Sequence, residues 1–240
     1  MRCIASQPRY LPVISYLQRI AYADVFILYD IAQRQQYGWE QRNKLIIQNA
    51  PMWLSVPIKG TCNQFIYETK IDNNIWIKKH KKSIIVNYAK HPFYDIEIIE
   101  KYYKNLYEMI ENNCNFTECI LQTIFNIFDI LDIKVNIVIA SNIADSNIMN
   151  KEHSERVCEI AKKCNVDTFI SGSNGRVYNI EDGFKNSNIK VLYNDPINPE
   201  YKQPNQEEFI PFMGFFDYLF CMGVDEVRKI VTSPLILIDK

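Results

Sequence analysis

Cys3-Ile4-Ala5-Ser6-Gln7-Pro8-Arg9-Tyr10-Leu11-Pro12 opens the chain with an apolar run that gives way to a loop bracketed by two prolines. A helical pattern follows, with Ile14, Leu17, Ile20 and Ala21 on one side, and then a second apolar run, Val25-Phe26-Ile27-Leu28-Tyr29, that ends at Asp30. Strand, loop, helix and strand therefore succeed one another between Cys3 and Asp30. In open parallel α/β sheets, ligands bind beyond the carboxyl ends of the strands. Gln7 and Asp30 both fall at such ends.

Strand-like runs recur at Val135–Ala140, Thr168–Ser171 and Lys190–Asn194. Between them, Lys151–Cys164 carries Val157, Ile160, Ala161 and Cys164 on one face, at helical spacing. Such alternation predicts an α/β fold, a mostly parallel sheet with crossover helices. The middle of the chain differs. Met52–Ile58 and Phe65–Ile71, on either side of Lys59-Gly60-Thr61-Cys62-Asn63, predict a β-hairpin added to the sheet. Helical stretches at roughly 75–89, 95–112 and 117–131 predict an inserted helical subdomain. The last of these has Ile120, Leu121, Ile124, Phe125, Phe128 and Leu131 on a broad apolar face, most simply a packing surface. Short helices near 212–222 and 224–232 close the chain. No linker or repeat interrupts it, so residues 1–240 are expected to form one α/β domain, with the helical insertion at about 75–131.

Composition narrows the function classes. A net charge of −1 supplies no global field to draw in nucleic acid or an anionic membrane. Seven cysteines without any CxxC pair argue for reduced thiols and a cytoplasmic protein. His80, His91 and His153 have no metal-ligand spacing, so no metal site is expected. No signal-peptide pattern and no bilayer-length apolar run occur, so stable membrane insertion is not expected.

Four segments carry candidate chemistry. Pro8 and Pro12 stiffen the opening loop, and Gln7 can donate to and accept from a sugar or a base; a turn that merely packs is the other reading. Asp30, an acid at a strand end, fits a general base or a ribose ligand, while Arg42 fits a phosphate or carboxylate clamp or a structural ion pair. Trp76-Ile77-Lys78-Lys79-His80-Lys81-Lys82 makes a local positive patch that, with Lys59, can attract a phosphorylated ligand, or else forms a solvated helix face. His80 within it can titrate near neutrality. Ser171-Gly172-Ser173-Asn174-Gly175-Arg176-Val177-Tyr178 follows a strand, and its glycines allow close backbone approach to an anion; an ordinary tight turn is equally consistent. No GxSxG, HExxH or Walker pattern is present.

Taken together, these segments resemble the WbqC-like family. The matching pieces are Gln7-Pro8-Arg9-Tyr10-Leu11-Pro12 with Tyr16, Ala23-Asp24-Val25-Phe26 with Asp30, then Trp39, Arg42-Asn43, Trp53-Leu54 and Val56-Pro57-Ile58-Lys59-Gly60. Trp76, Lys79-His80, Asn87-Tyr88, Asp167 to Gly172 with Gly175 and Tyr178, and Tyr201 to Gly223 continue the pattern. The chain departs from it at Val13 and Ser15, where the family loop usually has Trp and Gly, and at Arg34, where it usually has Phe. The resemblance implies a role in O-antigen or other surface-polysaccharide biosynthesis. Tyr10, Asn43 and Tyr178 thereby join Gln7, Arg42, Lys59, Ser171, Gly172 and Gly175 as candidate substrate-binding residues, with Asp30 and His80 as candidate catalytic ones.

Three functions are consistent with these features. One is acyl or aminoacyl transfer to a nucleotide-linked amino sugar, with no resident cofactor evident, a thioester co-substrate and an acyl-carrier protein as a partner. A second is nucleotidyl transfer or adenylate formation, suggested by the strand–loop–helix opening although the histidines of an HxGH loop are missing. A third is a non-catalytic role in a glycan assembly complex.

Overall fold

The computed structural model describes residues 1–172, 174–196 and 198–239, Asn174 by its backbone alone. Its centre is a six-stranded sheet built from β1 (Arg2–Ser6), β2 (Val25–Leu28), β7 (Ile137–Ile139), β8 (Thr168–Gly172), β9 (Lys190–Asn194) and β10 (Leu237–Ile238), in the order β10-β9-β8-β1-β2-β7. All pairings are parallel except β10 with β9. Successive side chains point to opposite faces of a strand, and the two faces are separate cores. Ile4, Phe26, Leu28 and Ile170 face one cluster, and Cys3, Val25, Ile27 and Phe169 the other. Both faces are covered by helices, which is why these short strands are apolar without alternation. The helices Ile14–Tyr22, Phe116–Ile130, Phe215–Met222 and Val224–Val231 contribute to the first core, and His153–Lys163 to the second.

The middle of the chain is where the structure departs from expectation. Met52 to Ser55 does not pair with Phe65–Ile71. It is part of β4 (Ala50–Ser55), which folds back on β3 (Arg42–Ile47), while only β5 (Ile58–Lys59) and β6 (Lys70–Ile71) join across the predicted turn. The reversal is made by Gln48 and Asn49, at φ 52° and 61°. A two-residue hairpin turn of this hand needs positive φ at both central positions, and Gln-Asn is not a sequence that advertises it. The hairpins also stand apart as two-stranded sheets of their own. The stretch 95–112 is two helices, Ile96–Tyr102 and Leu106–Glu111, broken where Asn105 takes φ 67°. By contrast Phe116–Ile130 begins where a capping box places it: Glu118 N donates to Asn115 Oδ1 at 2.9 Å and Asn115 N to Glu118 Oε2 at 2.8 Å, satisfying two otherwise unpaired helix-end donors.

One polar network ties the C-terminal helices to the rest. Asp217 is fully buried and accepts hydrogen bonds from Tyr88 Oη at 2.7 Å, Gln203 Nε2 at 2.9 Å and the Tyr201 hydroxyl. Burial raises its pKa, and these donors oppose that rise. Tyr88 in turn accepts from Ile46 N at 3.0 Å, so the network reaches the β3–β4 hairpin. Asp217→Ala takes the acceptor from the Tyr88 and Tyr201 hydroxyls, while Gln203 Nε2 keeps Ile210 O, and is expected to cost about 3 kcal/mol or more, measured by urea unfolding, with Asp217→Asn milder.

Candidate functional site

The direction of chain travel reverses between β1 and β8. From β1 the chain crosses to β2 on one side, and from β8 to β9 on the other. Loops leaving two such neighbours diverge and leave a crevice between them. A cleft of about 410 Å³ lies at this point, lined by Ser6, Gln7, Pro8 and Arg9 after β1 and by Ser171, Gly172, Gly175 and Tyr178 from the end of β8 onward. Arg19, from the helix that follows the first loop, Trp39 and Glu40, from the loop before β3, and His153, at the start of its helix, complete the walls.

The first loop is held from several sides. Tyr10 is fully buried, its hydroxyl 2.9 Å from both His80 Nδ1 and Tyr103 Oη. Tyr16 Oη donates to Gln7 O at 2.9 Å. Asn43 Nδ2 donates to Leu11 O, whose residue sits at φ 45°. Tyr10 N donates to Glu40 O at 3.0 Å, which ties the loop to the segment carrying Trp39. On the opposite wall Gly175 lies directly against the Ser171 hydroxyl. A Cβ there would stand 1.9 Å from Ser171 Oγ, so only glycine lets that hydroxyl occupy its present position.

Arg9 and Arg19 dominate the electrostatics. Both are half-buried, neither forms an ion pair among the described residues, and Arg19 Nε is buried without a hydrogen-bond partner. Burial lowers the pKa of each, and the neighbouring Arg9 charge helps bring Arg19 down to about 10. Glu40 acts on Arg9 from a distance and makes no ion pair with it, so two cations held together make a ready anion site: a bidentate partner such as phosphate would satisfy their donors and relieve their repulsion. The arginine Nη1 of Arg19 lies 3.6 Å from where a Gly172 Cβ would stand, which sets the guanidinium against the end of β8. Opposite, His153 lies between Tyr29 and Tyr178, with ring centroids 5.8 and 6.1 Å away. Burial and the nearby Arg156 lower its pKa, so its imidazole is neutral at pH 7 and able to accept a proton.

Of the residues singled out from sequence, Gln7, Ser171, Gly172, Gly175 and Tyr178 come together here. The others stand elsewhere. Asp30, at the end of β2, is fully buried and accepts from Ser141 N at 2.9 Å and Ser141 Oγ at 2.7 Å, so it holds the chain turning out of β7. His80 and Tyr10 form the support beneath the loop, and Asn43 holds its backbone. Arg42 stacks over Trp53, 4.1 Å from the ring centroid, and over Tyr37 at 5.1 Å. Lys59 is exposed, 3.5 Å from Asp72. Ser173 and the Asn174 side chain lie outside the described residues. Arg19, Glu40 and His153 carried no local signal: each gains its place only when the sheet brings distant segments together.

Comparison with known proteins bears on this arrangement. The description of the WbqC-like protein family matches residues 7–229, nearly the whole chain. The chain belongs to that family. It is 28% identical over 222 residues to the uncharacterized protein Rv1507c of Mycobacterium tuberculosis (strain ATCC 25618 / H37Rv), a match covering 91% of this chain and 93% of the relative. The family match spans every segment that lines the cleft from Gln7 to Pro196. Val13 and Ser15, where the opening loop departs from the usual WbqC-like pattern, line a smaller hollow beside the cleft. Among the described residues no helix is long and apolar enough to cross a membrane.

Burial lowers the His80 pKa to about 4. A histidine lowered from 6.5 in the folded state contributes stability that is full above pH 6.5 and lost as pH falls toward 4, because the unfolded chain takes up the proton first. The unfolding free energy of the native protein relative to His80→Phe is therefore expected to fall by about 2 kcal/mol between pH 8 and 5, measured by urea titration at each pH. For the arginine pair, Arg19→Gln is expected to leave the ligand-free protein as stable as the native one or slightly more so at low salt. Sulfate or phosphate should raise the melting temperature of the native protein more than chloride does at equal ionic strength, and Arg19→Gln should erase that difference.

Proposed function

We propose that this protein is an enzyme of surface-polysaccharide biosynthesis that transfers an acyl or aminoacyl group to the amine of a nucleotide-activated amino sugar. The observation that carries the reading is the pair Arg9 and Arg19, in no ion pair among the described residues, at the crevice between β1 and β8. In this reading they hold the diphosphate. Gln7, Ser171 and Tyr178 are within the same cleft to bind the sugar hydroxyls, and the sugar-nucleotide substrate class is taken from the surface-polysaccharide role that the resemblance implies.

The chemistry asks little more of the protein. The sugar amine attacks the carbonyl carbon of a thioester, a C–N bond forms, the C–S bond breaks and the thiol leaves. His153, neutral at working pH, takes the proton that the amine sheds and returns it to the departing sulfur. Glu40, whose Oε1 accepts from Gln35 N at 3.2 Å, offers a carboxylate to accept a hydrogen bond from the amine, which attacks as the free base after its ammonium form has lost a proton to solvent. Asp30 and His80 act through position, one at the sheet end and the other under the loop.

Incubation with a panel of nucleotide-linked amino sugars and acyl or aminoacyl thioesters, on a carrier protein or on a small thiol, tests the proposal, with formation of the amide as readout. Arg19→Gln is expected to raise KM for the sugar nucleotide by roughly tenfold to a hundredfold, the worth of a charge-assisted hydrogen-bonded contact. His153→Ala is expected to lower kcat and to remove an acid limb below pH 6.5 from the kcat profile. Unchanged substrate across the whole panel, with pyrophosphate released from a nucleoside triphosphate instead, would favour nucleotidyl transfer. That second reading draws on the sheet order, since β7-β2-β1-β8-β9-β10 follows the 3-2-1-4-5-6 order of doubly wound nucleotide-binding sheets, with the last strand antiparallel.

A further inference from the structure

Beside the cleft lies a second hollow of about 270 Å³ that shares Arg9, Arg19, Trp39 and Pro196 with it. The arginines therefore stand at the junction of two compartments, and an anion bound to them has room on either side. The two compartments differ in chemistry. The larger offers Gln7, Glu40, His153 and Ser171. The smaller is lined by Val13, Tyr16, Trp39, Pro196 and Phe212, and its remaining polar groups beyond the arginines are Ser15 and Asn198. At this size it falls below the roughly 300 Å³ at which pockets take a whole drug-sized ligand. It suits one flat, largely apolar fragment of a larger molecule.

Two exposed aromatics flank it. Trp39 is 41% and Phe212 51% exposed. Trp39 is braced edge-on by Trp53 at 5.2 Å, and Trp53 is itself covered by Arg42, so the ring is presented as a fixed surface. Phe212 sits at φ 62°, a left-handed conformation that costs a bulky residue energy and recurs at ligand sites. Ser15 N donates to Asn198 Oδ1 at 3.3 Å, closing the far end.

We infer that this hollow is the base subsite of the nucleotide, with the base stacked against Trp39 and Phe212, the diphosphate on Arg9 and Arg19, and the sugar in the larger cleft beside His153. The inference rests on the proposed reading and adds to it an orientation and a source of nucleotide preference. Base–aromatic stacking is tolerant of sequence and worth about fivefold to a hundredfold in affinity, so Trp39 and Phe212 set affinity while Ser15 and Asn198 are the groups able to choose between bases.

The experiment is calorimetric titration of the protein with inorganic pyrophosphate and with UDP, dTDP, ADP, GDP and CDP, followed through tryptophan fluorescence as well, with Trp39→Phe identifying the share that comes from Trp39. At least one nucleoside diphosphate should bind fivefold or more tightly than pyrophosphate and quench fluorescence. Trp39→Ala and Phe212→Ala should each bring that nucleotide toward the affinity of pyrophosphate while leaving pyrophosphate unchanged, and Trp39→Phe should retain most of the preference. Melting curves confirm that each variant is folded. Arg19→Gln should weaken pyrophosphate and nucleotide alike. Equal affinity for pyrophosphate and all five nucleotides, or a nucleotide preference untouched by both aromatic variants, overturns the base subsite while the arginine site stands. If the two aromatic variants instead weaken only the thioester donor, the hollow holds the acyl group and the inference is wrong. Failure of pyrophosphate and every nucleotide to bind removes the sugar-nucleotide reading itself, and the base subsite with it.

Discussion

Strand β1 is paired in parallel on both sides, Cys3 to Ser6 with Val25 to Leu28 and Arg2 to Ile4 with Thr168 to Ile170. Parallel pairing sends the loops after β1 and β8 out of the same end of the sheet, and the opposite directions of the two crossovers pull them apart. The cleft, the two arginines at its neck and the hollow beside it all follow from that one arrangement. No single loop makes the site. The sheet places the ends, and the interactions of Tyr10, Tyr16 and Asn43 keep the first loop from collapsing into the gap.

The cleft gives up stability for its chemistry. Arg9 and Arg19 stand together in partial burial with no acid in ion-pair contact, and Phe212 holds a backbone shape that its side chain disfavours. Several buried groups elsewhere are well satisfied: Asp217 has three donors, Asp30 has Ser141, and the Asn115–Glu118 box closes a helix end. A cleft that gathers like charges and a disfavoured backbone shape, set on a scaffold held by such contacts, is what a binding site looks like.

Much of the fold was readable in the sequence because it rests on local periodicity. The apolar runs at Cys3, Val25, Thr168 and Lys190 and the helix before Thr168 are short-range patterns, and they fall in the sheet and helix positions they predict. The β3–β4 hairpin was not readable, since its turn relies on Gln48 and Asn49 at positive φ with no glycine to mark it. The site divided along the same line. Gln7 and Ser171 to Gly175 could be found because strand ends are recognisable. Arg19 and His153 carried no site signal and Trp39 only its place in the family pattern, because what makes them neighbours is the packing of segments far apart in the chain. Asp30 satisfied the strand-end rule equally well, but its carboxylate turns to Ser141; the rule locates a position and not the direction of a side chain.

The central position of β1 has a bearing on how the protein is made. Its pairing with β2 involves segments that leave the ribosome close together, whereas its other edge waits for Thr168–Gly172. At synthesis rates of about 5–20 residues per second that edge stays bare for on the order of ten seconds, with apolar side chains on both faces of a strand that offers unpaired N–H and C=O groups to any passing chain. The same stretch that later forms one wall of the cleft is thus an unpaired edge during translation, and a stalled or truncated product ending before Thr168 would present it permanently.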